Sequence, residues 1–63
     1  MPVITVHLFE GRTDQQKREL VAAITDAFVR IGKTTPEAVH VIFHDVSKAN
    51  WGHAGKLASD EGR

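Results

Sequence analysis

The group in this chain best suited to moving protons is the nitrogen of Pro2. Removal of Met1, which a small second residue permits, makes that nitrogen a free secondary amine instead of an amide. An α-amino group titrates near about 8, and a proline amine is somewhat more basic. Apolar surroundings disfavour the charged form and lower that value. A base tuned near the working pH is what proton-transfer catalysis uses. A proline at a strand start is also an ordinary structural choice, because a missing N–H costs nothing there. On Pro2 alone both readings stand. Arg12 is the next candidate, because a cation at a helix N-terminus is mildly unfavourable and so invites a functional reason. The histidines are His7, His40, His44 and His53. No cysteine stands beside them to complete a zinc set, so a structural metal is not expected. His40 on its own fits a strand histidine facing solvent or a subunit interface. His7, His44 and His53 read as structural or exposed, with His53 of interest for its nearness to Trp51.

The elements that must carry these groups are legible from the apolar pattern. Residues 3–9 read as a strand of β-branched, aliphatic and aromatic residues. Ile4, Val6 and Leu8 fall on one face; Val3, Thr5, His7 and Phe9 fall on the other. A strand apolar on both faces expects cover on both. Thr13 and Gln16 have the spacing of a capping box, and Asp14 suits the first helical turn. The pattern predicts a helix from about Asp14 to Ile31, with Leu20, Ile24, Ala27, Phe28 and Ile31 as its core stripe. Gly32 is placed to end it in the left-handed conformation. Thr35-Pro36 is a connector with one short turn at Pro36–Ala38. A second strand follows over Val39–Val46, in which His40, Ile42 and His44 share a face.

A strand, a crossover helix and a strand form a βαβ unit, so the strands are expected to be parallel and the crossover right-handed. Asn50, Gly52 and Gly55 then predict a small hairpin carrying Trp51. The polar end, Ser59–Arg63, reads as a fraying tail. The fold class is therefore α/β (α+β), a single domain over 1–63. Lys17, Arg18 and Lys48 read as solvated surface charges.

Composition narrows the function classes. Eight basic and eight acidic residues give zero formal charge, which argues against nucleic-acid binding. The chain has no cysteine, hence no disulfide or thiol chemistry. It has no apolar run of membrane-spanning length, and charged residues appear too early for a signal peptide, so a cytoplasmic protein is expected. A domain of 63 residues buries only about 60% of its unfolded surface, and two strands leave two open edges. Oligomerisation is the remaining source of stability, and covering the second sheet face asks for more copies than a dimer holds. Trp51 on an exposed hairpin then fits an anchor on a neighbour.

Against that background the chain resembles the 4-oxalocrotonate tautomerase (2-hydroxymuconate tautomerase) family of the tautomerase superfamily. The resemblance covers nearly the whole chain. It rests on Pro2 after the initiator Met, on Leu8-Phe9-Glu10-Gly11-Arg12-Thr13-Asp14-Gln15-Gln16-Lys17, and on Trp51-Gly52-His53-Ala54-Gly55-Lys56-Leu57-Ala58-Ser59. It implies βαβ protomers paired into dimers, three of which form a homohexamer. It makes Pro2 the general base, Arg12 the residue that binds a substrate carboxylate, and Trp51 the apolar wall. The family's second catalytic arginine falls at His40. Arginine grips a carboxylate with two parallel donors, whereas histidine offers one and is only partly charged near neutrality.

The implied function is isomerisation of an enol or dienol carboxylic acid resembling 2-hydroxymuconate, without metal or cofactor, as part of aromatic compound catabolism. Three alternatives accompany it. The same proline could serve arylpyruvate enols or haloacrylate dehalogenation. The chain could be a non-catalytic oligomeric binding module. A different chain in a heteromer could supply the missing arginine.

Overall fold

A computed structural model describes residues 1–61. It contains β1 (Val3–Phe9), α1 (Asp14–Gly32), β2 (His40–Val46) and a short hairpin of β3 (Gly52–His53) and β4 (Lys56–Leu57). Short 3₁₀ turns cover Pro36–Ala38, Lys48–Asn50 and Ala58–Glu61. β1 and β2 are parallel, in a register that runs from Val3 opposite His40 to Phe9 opposite Val46. β3 and β4 are antiparallel. No helix among the described residues is long and apolar enough to cross a membrane.

The capping box starts α1 as its sequence predicts. The Gln16 amide donates to Thr13 Oγ1 at 3.1 Å, and the Thr13 amide donates to Gln16 Oε1 at 2.9 Å. The helix ends one residue later than expected. Lys33, not Gly32, takes the left-handed conformation, with φ 57°. Gly32 stays helical, and a Cβ there would meet the Phe28 ring at 3.1 Å. The glycine thus makes room for a ring, and its freedom at φ > 0 is unused. At the other end of the chain, Ser59–Glu61 belong to a 3₁₀ turn where a frayed tail was expected. The remainder of that tail, Gly62 and Arg63, lies outside the described residues.

The strands alternate as read. Ile4, Val6 and Leu8 with Val41 and Phe43 form the more buried face, and Val3, Thr5 and His7 with His40, Ile42 and His44 form the open one. On the open face Val3 is 45% and Ile42 46% exposed, and the His7 and His44 rings stack at 4.8 Å. On the helix side Lys17 Nζ meets Asp45 Oδ2 at 2.6 Å and ties α1 to β2. Lys17 is therefore a partnered residue and not the solvated charge its sequence position suggests.

The core stripe expected on α1 is only partly used. Ile24 and Ala27 are half-buried, but Leu20, Phe28 and Ile31 are exposed, Ile31 at 70%. The cause is geometric, because two strands make too narrow a platform to cover a 19-residue helix. Among the described residues the buried apolar core is Leu8 and Ala58 alone. The radius of gyration is 14.6 Å, against about 11 Å for a compact domain of this length. The surface of 4666 Å² likewise exceeds the roughly 4,000 Å² usual for the mass. Apolar surface on both the sheet and the helix is thus left for another chain to cover.

Candidate active site

The candidate residues gather at the two ends of β1. At its start, Pro2 is half-buried, and its carbonyl accepts a hydrogen bond from the His40 amide at 3.0 Å. This bond extends the β1–β2 ladder by one step and sets Pro2 beside His40. The His40 side chain is exposed and belongs to the open face. Met1, which precedes Pro2, is 83% exposed.

At its other end β1 delivers Phe9. The Phe9 and Trp51 rings lie 4.5 Å apart at 51°, a tilted arrangement typical of favourable aromatic pairs. Arg12 Nη1 donates to the Phe9 carbonyl at 3.4 Å. Lys48 Nζ lies 5.8 Å from the centre of the Phe9 ring. The backbone fixes this grouping. The Trp51 amide donates to the Lys48 carbonyl at 3.4 Å, closing the 3₁₀ turn, and the Ala58 amide donates to the Trp51 carbonyl at 2.8 Å. The turn sets Lys48 three residues before Trp51, and both side chains reach Phe9.

Sequence reasoning singles out Arg12 and Trp51, and the structure groups Phe9 and Lys48 with them. By its sequence pattern Phe9 is one more strand residue, and Lys48 is exposed, as expected of a solvated charge. The i, i+3 spacing of Lys48 and Trp51 after a strand end is the signal that could have found the grouping.

Pro2 and His40 come together, and so do Arg12 and Trp51, but one chain does not join the two pairs. Between Pro2 and Phe9 lie seven strand steps, roughly 23 Å at 3.3 Å per residue. A surface depression of about 350 Å³ lies elsewhere, along α1 and Pro36. It is lined by Val21, Ala22, Thr25 and Val29 and carries none of the candidate groups. His53 is exposed on β3. No group of three or more potential metal ligands occurs among the described residues.

One helix over a parallel strand pair, followed by a short antiparallel hairpin, is the fold of a tautomerase-type protein. Comparison with known proteins agrees. A family model described as tautomerase enzyme matches residues 2–61. A probable tautomerase of Halalkalibacterium halodurans is 43% identical over 61 residues, covering 97% of this chain and 100% of that one. A 4-oxalocrotonate tautomerase isozyme structure from Methylibium petroleiphilum superposes with a TM-score of 0.92 at 40% identity, covering 98% of this chain and 100% of that one. A fused 4-oxalocrotonate tautomerase, solved as an asymmetric trimer, matches with a TM-score of 0.94 at 30% identity; it covers 100% of this chain, which spans 51% of its length. The chain belongs to the tautomerase family.

Proposed function

We propose that the protein is a keto–enol tautomerase of an enol or dienol carboxylic acid resembling 2-hydroxymuconate, with Pro2 as general base. The reading is carried by the division of β1: a potential base at one end, and at the other an aromatic wall with two cations in no ion pair among the described residues. Two copies placed end to end complete one site, with Pro2 and His40 from one and Arg12, Phe9 and Trp51 from the other. The fused trimeric relative and the uncovered apolar faces support a homo-oligomer, which we take to be a hexamer built as a trimer of dimers.

In this mechanism Met1 has been removed and the Pro2 nitrogen is neutral. It takes the proton from the substrate 2-hydroxyl. The oxygen electron pair forms the carbonyl, the conjugated double bonds shift, and the prolinium returns the proton to a distal carbon. No atom is gained or lost. Arg12 holds the far carboxylate and draws electron density toward it. An imidazole N–H of His40 donates to the near oxygen as charge develops there. Trp51 and Phe9 exclude water, which favours the neutral form of the base.

Intact-mass measurement of the purified protein should show the loss of one methionine. Pro2→Ala, which leaves a primary amine, should lower kcat by about 100-fold or more, the usual contribution of a positioned base. Undiminished turnover in that variant removes Pro2 from the mechanism.

A further inference from the structure

We infer that Lys48 is a specificity-determining residue of the site, a second cation for the carboxylate that Arg12 takes. The inference rests on the assignment of Arg12 to the far carboxylate and names what that end of the site selects. Lys48 and Arg12 both lie against Phe9, one at its ring and the other at its carbonyl. Arg12 Nη1 is 3.4 Å from the Phe9 carbonyl, and Lys48 Nζ is 5.8 Å from the Phe9 ring centre. The ion pairs among the described residues are Lys17–Asp45 and Arg30–Asp26, so neither Arg12 nor Lys48 is neutralised there.

Unpaired cations around an aromatic pair suit a flat, conjugated anion. Its π-system lies along Phe9 and Trp51, and its terminal carboxylate meets both charges. Lys48 is poised without being locked. A cation near a ring at an exposed site is weakly held, so a carboxylate can draw the ammonium off the ring at little cost. The 3₁₀ turn anchors its backbone three residues before Trp51. A ligand lying along the Phe9 and Trp51 rings therefore passes beside the lysine. The chemistry selected is a conjugated dicarboxylate in preference to a monocarboxylate of the same length.

Trp51 is the only tryptophan of the chain, so its fluorescence reports ligand at this wall independently of turnover. The test titrates the full-length protein with two unreactive six-carbon dienes, muconate with two carboxylates and sorbate with one. In Lys48→Met the Kd for muconate should rise about tenfold, the scale of one charge-assisted contact. Lys48→Arg should keep most of the affinity, and sorbate should bind wild type and both variants alike. The tenfold difference should shrink at high salt. Equal weakening of both ligands in Lys48→Met would show Lys48 only propping the aromatic wall and would overturn the inference. Unchanged muconate affinity in Lys48→Met overturns it as well. A failure of Pro2 as base would appear in turnover by Pro2→Ala and leave these titrations untouched.

Discussion

At its start β1 brings Pro2 and His40 together, and at its end Phe9 gathers Trp51, Arg12 and Lys48. The first grouping holds a potential base but no anchoring cation of fixed charge. The second holds fixed positive charge and apolar walls but no base. A hydrogen-bonded parallel strand cannot fold back to join its own ends. Under the proposed mechanism, base and carboxylate-binding groups are kept apart within the chain and would meet only between chains. The exposed Val3 and Ile42 on the sheet and Ile31 on the helix are consistent with the same requirement, since a chain complete in itself would not leave them open.

The division can be broken by mixing. Pro2→Ala and Arg12→Ala each remove one half of every site. Arg12→Ala alone should lower kcat/KM for a dicarboxylic enol by about 10- to 100-fold, the range for a hydrogen bond to a charged group. When the two variants are denatured, mixed and refolded together, some sites receive an intact Pro2 from one copy and an intact Arg12 from another. Activity should then exceed that of either variant refolded alone. A mixture no more active than its components means that the two ends serve one chain, and the intersubunit site is wrong.

The weaker end can also be strengthened. His40 provides one donor where a bidentate guanidinium could stand. His40→Arg should raise kcat/KM for a dicarboxylic enol by about tenfold, the value of one added charge-assisted contact. The comparison is between initial rates of the variant and wild type on one substrate. No gain in the variant would mean that His40 is not what limits the Pro2 end, and that its exposure on the open face reflects packing between copies instead.

Features set by local chemistry were readable in the sequence: strand alternation in β1, the Thr13–Gln16 capping box, and the parallel crossover implied by one helix between two strands. What depended on distant neighbours was not. The Lys17–Asp45 pair joins residues 28 apart in sequence. Gly32 looked like a helix terminator, yet its lack of a side chain serves the Phe28 ring. The apolar stripe of α1 was correctly seen as apolar, but apolarity does not say whether the cover comes from the same chain. The site showed the same limit. Pro2, Arg12, His40 and Trp51 could be named from their types and from family resemblance, whereas Lys48 and Trp51 meet Phe9 only through the 3₁₀ turn after β2.

The smallest effect that still separates the two ends comes from the cap between Arg12 and α1. Thr13 accepts from the Gln16 amide and its own amide donates back to the Gln16 side chain, which fixes the turn that carries Arg12. Thr13→Ala removes one of these bonds and should cost about 1 kcal/mol of stability, read as a lower denaturation midpoint. Arg12 is adjacent and reaches back to Phe9, so a looser turn should raise KM for a dicarboxylic enol roughly twofold, a few tenths of a kcal/mol. Pro2 lies at the far end of a rigid strand, so turnover of an enol lacking the far carboxylate should not change. If both substrates slow equally, the cap acts through global stability, and the two ends of β1 are energetically one unit. A KM effect confined to the dicarboxylate means that the ends are mechanically separate within each chain.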